Sequence, residues 1–194
     1  MTDHQSSPID LERFKSSLES SPIVRMGSYD YFVNPVTDGI PKMDPRVLAE
    51  VLDAFKEIGD FHCDVIVSPE AMGIPLAVPL SLELGIPYSV VRKKRYGLPG
   101  EVAVSQVTGY SKGHMYVNGI GKGDKVVVID DVVSTGGTLL AVIKALRHIG
   151  AEIVDVIVAV EKGEGKAALE REVGIRVKSL VRVEIREGRL KVLS

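Results

Sequence analysis

The fourteen residues from Val126 to Leu139, VVVIDDVVSTGGTL, constrain the fold more than any other segment of the chain. They begin with four β-branched residues, which are typical of a buried strand, and two aspartates follow. A turn rich in hydroxyl groups and glycine comes next and leads into an apolar pattern with helical spacing. The segment therefore predicts a strand, a turn and a helix, with two carboxylates close to the beginning of that helix.

The rest of the chain alternates between the two periodicities. Strands are predicted at 64–67, 87–91, 115–117, 125–129, 153–160, 177–185 and 190–193. Helices are predicted at 8–20, 44–58, 74–84, 135–149 and 165–173. Strands joined through helices require crossover connections, so we expect an α/β fold with a mostly parallel sheet flanked by helices on both faces. The 194 residues contain no linker, and we expect a single domain over 1–194.

Two segments do not follow this alternation. Residues 22–42 hold three aromatic side chains among turn-forming residues and are expected to form an irregular arm. The N-terminal segment 1–42 is then a short helix followed by a hood. Residues 92–113 are charged and contain several glycines, and we expect a long loop with room for one short strand. Loops of this length in compact domains are usually lids or disordered.

Composition excludes several classes of function. The formal net charge of −2 argues against a general nucleic-acid-binding protein, which is normally basic. The N-terminus is polar, and the longest apolar stretches are far shorter than the roughly 20 residues that span a bilayer. A single cysteine, Cys63, cannot form an internal disulfide and fits a reducing compartment, and His62 beside it has no partners at zinc spacing. We therefore expect a cytoplasmic protein with no nucleic-acid or membrane partner.

The two acids of the first segment, Asp130 and Asp131, lie where a parallel sheet binds ligands, at the carboxyl end of a strand. Neighbouring residues of a strand point to opposite faces, so these carboxylates do not suit a catalytic dyad. They suit separate hydrogen-bond acceptors for vicinal hydroxyl groups, or one such acceptor and one group linked to a metal. The pattern predicts a ligand with free hydroxyl groups, such as a sugar.

The turn after the acids predicts an anion site. It offers consecutive backbone N–H groups where a helix begins, and the helix dipole favours a negative charge there. Its glycines carry no Cβ that would keep the backbone away from a phosphate. The residues concerned are Ser134, Thr135, Gly136, Gly137 and Thr138. A capped turn is the alternative for these five residues alone, but the preceding acids favour the anion site.

A second turn of similar character follows the strand predicted at 64–67. The segment from Ser68 to Pro75 opens a helix, and its small residues Ala71 and Gly73 allow the backbone to approach an anion closely. A plain strand-to-helix turn is the alternative. The basic cluster that begins the 92–113 segment is expected to face a polyphosphate, because the rest of the chain has no basic excess.

The segment from Val126 to Leu139 resembles the phosphoribosyl-pyrophosphate (PRPP) binding signature of type I phosphoribosyltransferases. Residues 22–185 resemble the purine branch of that family, in particular its archaeal hypoxanthine/guanine phosphoribosyltransferases. The segments that carry this second resemblance are 29–41, 70–75, 91–94, 97–102 and 106–112. The resemblance implies purine salvage, in which a phosphoribosyl group passes from PRPP to hypoxanthine or guanine and yields IMP or GMP and pyrophosphate. It also implies Mg²⁺, held mainly by substrate phosphates with no firm protein ligand, and a homodimer.

The resemblance implies a role for each part of the site. Asp130 and Asp131 contact the ribose and act in catalysis, and the 134–138 turn holds the 5′-phosphate. Pyrophosphate is bound by Glu70, Ala71, Met72, Gly73, Arg92, Lys93 and Lys94. The first four form a turn that in this family often contains a cis peptide bond not followed by proline. Residues 92–113 form a flexible lid that keeps water from an oxocarbenium-like transition state, with Tyr110 over the reaction centre.

The base is the least constrained part of the prediction. By resemblance to enzymes of 6-oxopurines, Lys162 is the base-binding residue and donates a hydrogen bond to O6; an exposed lysine at a strand end is the alternative. Adenine and xanthine stay open as bases, although Gly109 stands where the adenine enzymes carry a glutamate. Tyr31 or Phe32 either covers the base or lies in the core. A PRPP-sensing regulator with the same fold would need a DNA-binding module, which the short N-terminal segment does not supply.

Overall fold

The computed structural model describes residues 9–27, 29–107 and 112–193. These residues form five helices: α1 Glu12–Glu19, α2 Pro45–Ile58, α3 Ile74–Leu84, α4 Gly137–Ile149 and α5 Gly165–Val173. They form ten strands: β1 Ile23–Met26, β2 Tyr29–Phe32, β3 Val65–Pro69, β4 Tyr88–Val91, β5 Val102–Val107, β6 Lys112–Val117, β7 Lys125–Val133, β8 Glu152–Lys162, β9 Lys178–Arg186 and β10 Arg189–Leu193. None of the helices in the described ranges is both long enough and apolar enough to cross a membrane.

The central sheet has six strands in the order β10-β9-β8-β7-β3-β4. Strand β7 lies in the middle and runs parallel to β3 and β8, with Val127 opposite Ile66 on one side and Asp155 on the other. Strands β4 and β9 extend the sheet in parallel, and β10 is antiparallel at one edge. The predicted mostly parallel sheet is confirmed.

Side chains of β7 alternate between two hydrophobic cores. Val127 and Ile129 pack on the face that α1, α2 and α3 cover. Val126 and Val128 pack on the other face, against α4 and α5. The predicted helices on both faces of the sheet are thus confirmed, and the carboxyl end of β7 lies between two packed layers.

Local sequence explains where α2 begins. The carboxylate of Asp44 accepts the backbone N–H of Arg46 at 2.9 Å, and Pro45 occupies the first helical position. The helix then buries Val51 and Phe55 completely against the sheet. It therefore holds in place the C-terminal end of the segment 33–44, which connects β2 to α2.

The N-terminal segment is more regular than expected. Strands β1 and β2 pair in antiparallel register, with Met26 opposite Tyr29, and form what we call the N-terminal hairpin. The expectation of an irregular arm is wrong for 23–26 and 29–32. Three of the four residues of β1 are exposed, so the sequence shows no alternation of apolar and polar residues there. Helix α1 begins at Glu12, and the beginning of the helix predicted from residue 8 lies outside the described residues.

The segment 92–113 also contains more strand than expected. Strand β5 covers its middle and pairs in antiparallel register with β6, which begins inside the same segment. Val104 lies opposite Met115, and both pack against the core on the α4 side of the sheet. Charged residues and glycines around β5 obscure this alternation in the sequence. Tyr110, predicted to cover the reaction centre, lies outside the described residues.

Strand β7 is longer than predicted. It continues to Val133, so Asp130 and Asp131 lie inside the strand and not after it. Asp130 is opposite Val158 of β8, and the ladder resumes at Val132. The apolar run in the sequence stops at the acids, which is why the strand was predicted to end at 129. Because the ladder continues, the hydrogen-bonded sheet holds the backbone of both acids in place.

Candidate active site

Most of the predicted site residues meet at a cavity of about 370 Å³ beyond the carboxyl ends of β3 and β7. Its wall contains both acids of β7, the turn at 134–138, residues 69–72 and part of the N-terminal hairpin. Strands β3 and β7 are parallel neighbours, so the turns that follow them lie at the same edge of the sheet. The fold therefore brings together two turns that are separated by about sixty residues in sequence.

The 134–138 turn joins β7 to α4, and all five of its residues lie on the cavity wall. Gly136 has a φ of 80°, a left-handed conformation that glycine adopts readily. Helix α4 has 13 residues and begins at Gly137, and its first turn contains no acidic residue. The positive end of the helix dipole therefore lies at the cavity, where it favours an anion.

The 70–73 turn joins β3 to α3. Its first three residues lie on the cavity wall, and the peptide bond between Glu70 and Ala71 is cis, as the resemblance implied. Gly73 does not lie on the wall. A Cβ built on Gly73 would stand 2.1 Å from Ser68 Oγ and 2.9 Å from the carbonyl oxygen of Ile129. The missing side chain thus lets the turn pack against β3 and β7, whereas the sequence analysis related it to an anion.

Asp130 and Asp131 are both buried, with 6% and 7% of their surface exposed. The Asp130 carboxylate accepts the backbone N–H of Asp131 at 2.9 Å. The Asp131 carboxylate accepts the hydroxyl of Thr37 at 2.9 Å and the side-chain amide of Asn34 at 3.2 Å. The two acids thus have different environments, which agrees with separate roles for them.

Asn34 and Thr37 belong to the site although the sequence does not predict them as site residues. Both belong to the stretch between β2 and α2, and both are buried, with 1% and 7% exposed. Asp38 strengthens the same stretch, since its carboxylate accepts the Asn34 N–H and the Tyr31 hydroxyl. Their partner Asp131 lies more than ninety residues away, so no local spacing reveals the contact. In the sequence, Asn34 beside Pro35 and Thr37 beside Asp38 are typical of turn-forming residues.

Burial controls the charge of both acids. The pKa of Asp131 is raised to about 6, mainly by burial and to a smaller extent by the negative charge of Asp38, while the hydrogen bonds from Thr37 and Asn34 oppose the shift. Burial also raises the pKa of Asp130 well above its usual range, and the neighbouring charge of Asp131 adds to this. Burial therefore disfavours negative charge on this pair, and hydrogen-bond donors from a ligand would stabilise the ionised form.

Because the pKa of Asp131 is raised in the folded protein, we expect the free energy of unfolding to decrease as the pH rises. The folded protein binds the proton more tightly than the unfolded chain, so stability is greatest below about pH 4 for this group and declines through about pH 6. We expect Asp131→Asn to reduce this decline by on the order of 3 kcal/mol. Urea unfolding at a series of pH values measures the free energy of unfolding of both proteins. Asp53→Asn, on the exposed side of α2, is the control, and curves for Asp131→Asn parallel to wild type would contradict the prediction.

The basic residues after β4 differ in their positions. Lys93 lies on the cavity wall, and its backbone N–H donates to the Glu70 carboxylate at 3.0 Å. Arg92 Nε lies 3.1 Å from the same carboxylate, and Lys94 Nζ lies 5.7 Å from the centre of the Tyr96 ring. Neither Arg92 nor Lys94 lies on the wall. Of the three predicted cations, Lys93 alone is placed at the cavity.

Lys162 ends β8 beneath the N-terminal hairpin and is half-buried. Its ammonium group donates to the carbonyl oxygen of Asp30 and lies 4.0 Å from the centre of the Tyr29 ring. The Phe32 ring is 5.9 Å away, and Phe32 both lines the cavity and belongs to the core. Lys162 is therefore not an exposed lysine at a strand end, although it does not line the cavity itself. Phe32 lies in the core, and its role as a cover over the base stays a prediction.

Fold and site together define an α/β protein with a cavity at the carboxyl edge of a parallel sheet, where the positive end of α4 and two buried carboxylates suit an anion and hydroxyl groups. The family model for the phosphoribosyl transferase domain matches residues 45–183. The chain belongs to the phosphoribosyltransferase family. The family inferred from the resemblance is thereby confirmed.

Curated relatives match nearly the whole chain. The hypoxanthine/guanine phosphoribosyltransferase of Methanothermobacter thermautotrophicus is 56% identical over 182 residues, which cover 94% of each protein. That of Methanobacterium lacus is 54% identical over 181 residues, 93% of this chain and 95% of the relative. The structure of adenine phosphoribosyltransferase from Thermoanaerobacter pseudethanolicus matches with a TM-score of 0.71 and 21% identity, over 89% of this chain and 99% of that chain. This last likeness shows the shared fold.

Proposed function

We propose that the protein transfers the 5-phosphoribosyl group of PRPP to hypoxanthine or guanine and so forms IMP or GMP and pyrophosphate. One observation carries the proposal: the 134–138 turn, the 70–73 turn and the acids of β7 share one cavity wall. PRPP has a 5′-phosphate, vicinal ribose hydroxyls and a pyrophosphate, and these three features match the three parts of the wall. The names of the curated relatives, at more than half identity, support the two bases.

The proposed binding mode follows from the chemistry of each part. The backbone N–H groups and hydroxyls of the 134–138 turn hold the 5′-phosphate at the positive end of α4. Asp130 and Asp131 accept hydrogen bonds from the ribose hydroxyls, which orient the sugar between the two turns. The pyrophosphate lies on the 70–73 turn, whose side chains carry no positive charge, and Lys93 supplies a cation beside it.

Mg²⁺ is part of the proposal. Asp130, Asp131 and Glu70 all line the cavity wall, and carboxylates of this kind can contact Mg²⁺ through its bound water. The described residues contain no cluster of acidic, histidine or cysteine side chains that could hold the ion alone. The ion would neutralise charge on the leaving pyrophosphate. We expect substrate phosphates to hold most of it, as is usual for this metal.

The reaction breaks the bond between ribose C1 and the pyrophosphate oxygen and forms a bond from C1 to a purine nitrogen. The proton of that nitrogen passes to the released pyrophosphate or to solvent. Positive charge develops on the ribose as the first bond breaks, as in glycosidic cleavage. Water would capture that centre, so the cavity has to close. The N-terminal hairpin already forms one side of the cavity, and we propose that the 92–113 segment closes another.

Lys162 is the proposed contact to the base. An ammonium group has three N–H donors, so one donor can stay on the Asp30 carbonyl while another meets the purine O6. Adenine carries an amino group at that position and offers no acceptor there. Loss of this hydrogen bond should therefore lower kcat/KM for hypoxanthine and guanine and leave kcat/KM for adenine unchanged.

Turnover with separate bases tests the function. The protein is incubated with PRPP, Mg²⁺ and one of hypoxanthine, guanine, xanthine or adenine, and we expect nucleotide from hypoxanthine and guanine. Lys162→Met should lower kcat/KM for hypoxanthine by about 10- to 100-fold, since hydrogen bonds to charged groups have that strength. Lys191→Met, an exposed lysine of β10, is the matched control.

Two results would overturn the proposal. Nucleotide formed from adenine alone would exclude the role of Lys162 and the preferred bases. No nucleotide from any base, together with measurable PRPP binding, would favour the PRPP-sensing regulator.

Homodimerisation is also a proposal. Leu82 on α3 is 81% exposed, and Tyr88 on the edge strand β4 is 43% exposed, which is apolar surface that a second copy would cover. Light scattering at micromolar concentration distinguishes a dimer from a monomer.

A cytoplasmic location stays a proposal that rests on the single residue Cys63.

A further inference from the structure

Tyr29 of the N-terminal hairpin contacts two parts of the site that belong to different strands. Its hydroxyl donates to Ser134 Oγ at 3.1 Å, in the turn after β7. Its ring centre lies 4.0 Å from Lys162 Nζ, at the end of β8. One side chain thus joins the proposed 5′-phosphate site to the proposed base contact.

The neighbouring residue reinforces this connection. Asp30 follows Tyr29 in β2, and its carbonyl oxygen accepts a hydrogen bond from Lys162. The ammonium group is therefore held by two consecutive residues of the hairpin, through a ring face and a carbonyl oxygen. Any shift of the hairpin relative to the 134–138 turn would also shift the donor that Lys162 offers to the base.

We propose, on the basis of the function argued above, that Tyr29 is a positioning residue that couples 5′-phosphate binding to base binding. A phosphate in the 134–138 turn orders Ser134, and the hydroxyl of Tyr29 follows it. The ring then fixes the Lys162 ammonium group in the direction of the base. Coupling of this kind is reciprocal, so the base strengthens phosphate binding by the same factor.

The experiment measures that factor with ribose 5-phosphate, a probe that has the phosphate and hydroxyls but cannot react. Its Kd is determined by calorimetry with and without saturating hypoxanthine. For the wild-type protein we expect hypoxanthine to lower the Kd about 5-fold or more, the range that one or two neutral hydrogen bonds provide. Tyr29→Phe keeps the ring and removes the hydroxyl, and we expect the factor to fall close to 1.

Steady-state kinetics give an independent measurement. Tyr29→Phe should raise KM for PRPP and also KM for hypoxanthine, although the removed hydroxyl lies on the phosphate side, while kcat at saturation changes little. Tyr116→Phe, on strand β6, loses a hydroxyl outside the cavity wall and serves as the control. Thermal unfolding checks that the variants are folded.

Failure of the proposed role of Tyr29 and failure of the proposed function, on which that role rests, give different results in these experiments. Wild-type protein that makes nucleotide, with the same coupling factor in Tyr29→Phe, overturns the role of Tyr29 and leaves the function intact. A raised KM for PRPP with an unchanged KM for hypoxanthine does the same, because it shows a contact to phosphate alone. Wild-type protein that makes no nucleotide from any base overturns the function and, with it, this inference.

Discussion

Gly165→Ala is expected to lower kcat/KM for PRPP by about 100-fold or more, although Gly165 does not lie on the cavity wall. A Cβ at this position would stand 1.9 Å from the carbonyl oxygen of Ser134 and 2.6 Å from the carbonyl carbon of Thr135. Both contacts are to backbone atoms of the turn that we propose holds the 5′-phosphate. That backbone cannot avoid the methyl group by changing a side-chain rotamer, so the whole turn has to move.

A movement of about 1 Å in a positioning element can lower the rate about 100-fold. We expect the effect mainly in KM for PRPP, because the displaced N–H groups are those that we propose contact the phosphate directly. Gly121→Ala is the matched control, since a Cβ there would meet only Asp124 at an ordinary 3.7 Å and Gly121 has no positive φ. A folded Gly165→Ala protein with wild-type KM for PRPP would show that the turn tolerates the methyl group.

Gly165 also illustrates what the sequence allowed us to predict. Strand β7, its acids and the 134–138 turn follow one another in the chain, so a local pattern was enough to predict all three. The turn that contains Gly165 was interpreted only as the beginning of a helix. Its importance arises from close packing against another loop, and no periodicity records such a contact between segments about thirty residues apart.

The N-terminal hairpin shows a second limit of prediction. Its strands are four residues long and mostly exposed on β1, so they lack the alternation that identifies a strand. The contacts of Asn34 and Thr37 with Asp131 depend on where this segment docks, and that is a property of the tertiary structure. The sequence likewise shows a basic cluster after β4 but not which of its side chains lies at the cavity. In the structure Arg92 pairs with Glu70 and lies off the cavity wall, whereas Lys93 lies on it.

The second large effect is expected for Gly73→Ala. The new methyl group would lie 2.1 Å from Ser68 Oγ, 2.9 Å from the Ile129 carbonyl oxygen and 3.2 Å from the Asp130 carboxylate. It would push the 70–73 turn away from β7, and with it the proposed pyrophosphate site. Overpacking of this kind costs about 1–3 kcal/mol, and we expect kcat/KM for PRPP to fall by about 10- to 100-fold.

Ser68→Ala provides the control and the rescue. Ser68 is completely buried, and among the described residues its hydroxyl has no hydrogen-bond partner, so the single variant should be nearly as stable and active as wild type. The double variant removes the atom nearest to the new methyl group and should recover about 10-fold of the lost kcat/KM, as expected for residues in direct contact. Recovery stays incomplete because the Ile129 carbonyl oxygen is part of the sheet and cannot move away.

The double-mutant cycle formed by Gly73→Ala and Ser68→Ala distinguishes two explanations for the glycine at position 73. If Gly73 is small so that the turn can pack on β3 and β7, removal of the Ser68 hydroxyl relieves the defect. If Gly73 is small so that a phosphate can approach it, as the sequence analysis expected, Ser68→Ala has no effect on the Gly73→Ala protein and the two losses simply add. Measurements of KM for PRPP and of urea unfolding on all four proteins distinguish these outcomes. Since Gly73 lies behind the cavity wall and its close contacts are protein atoms, we expect rescue.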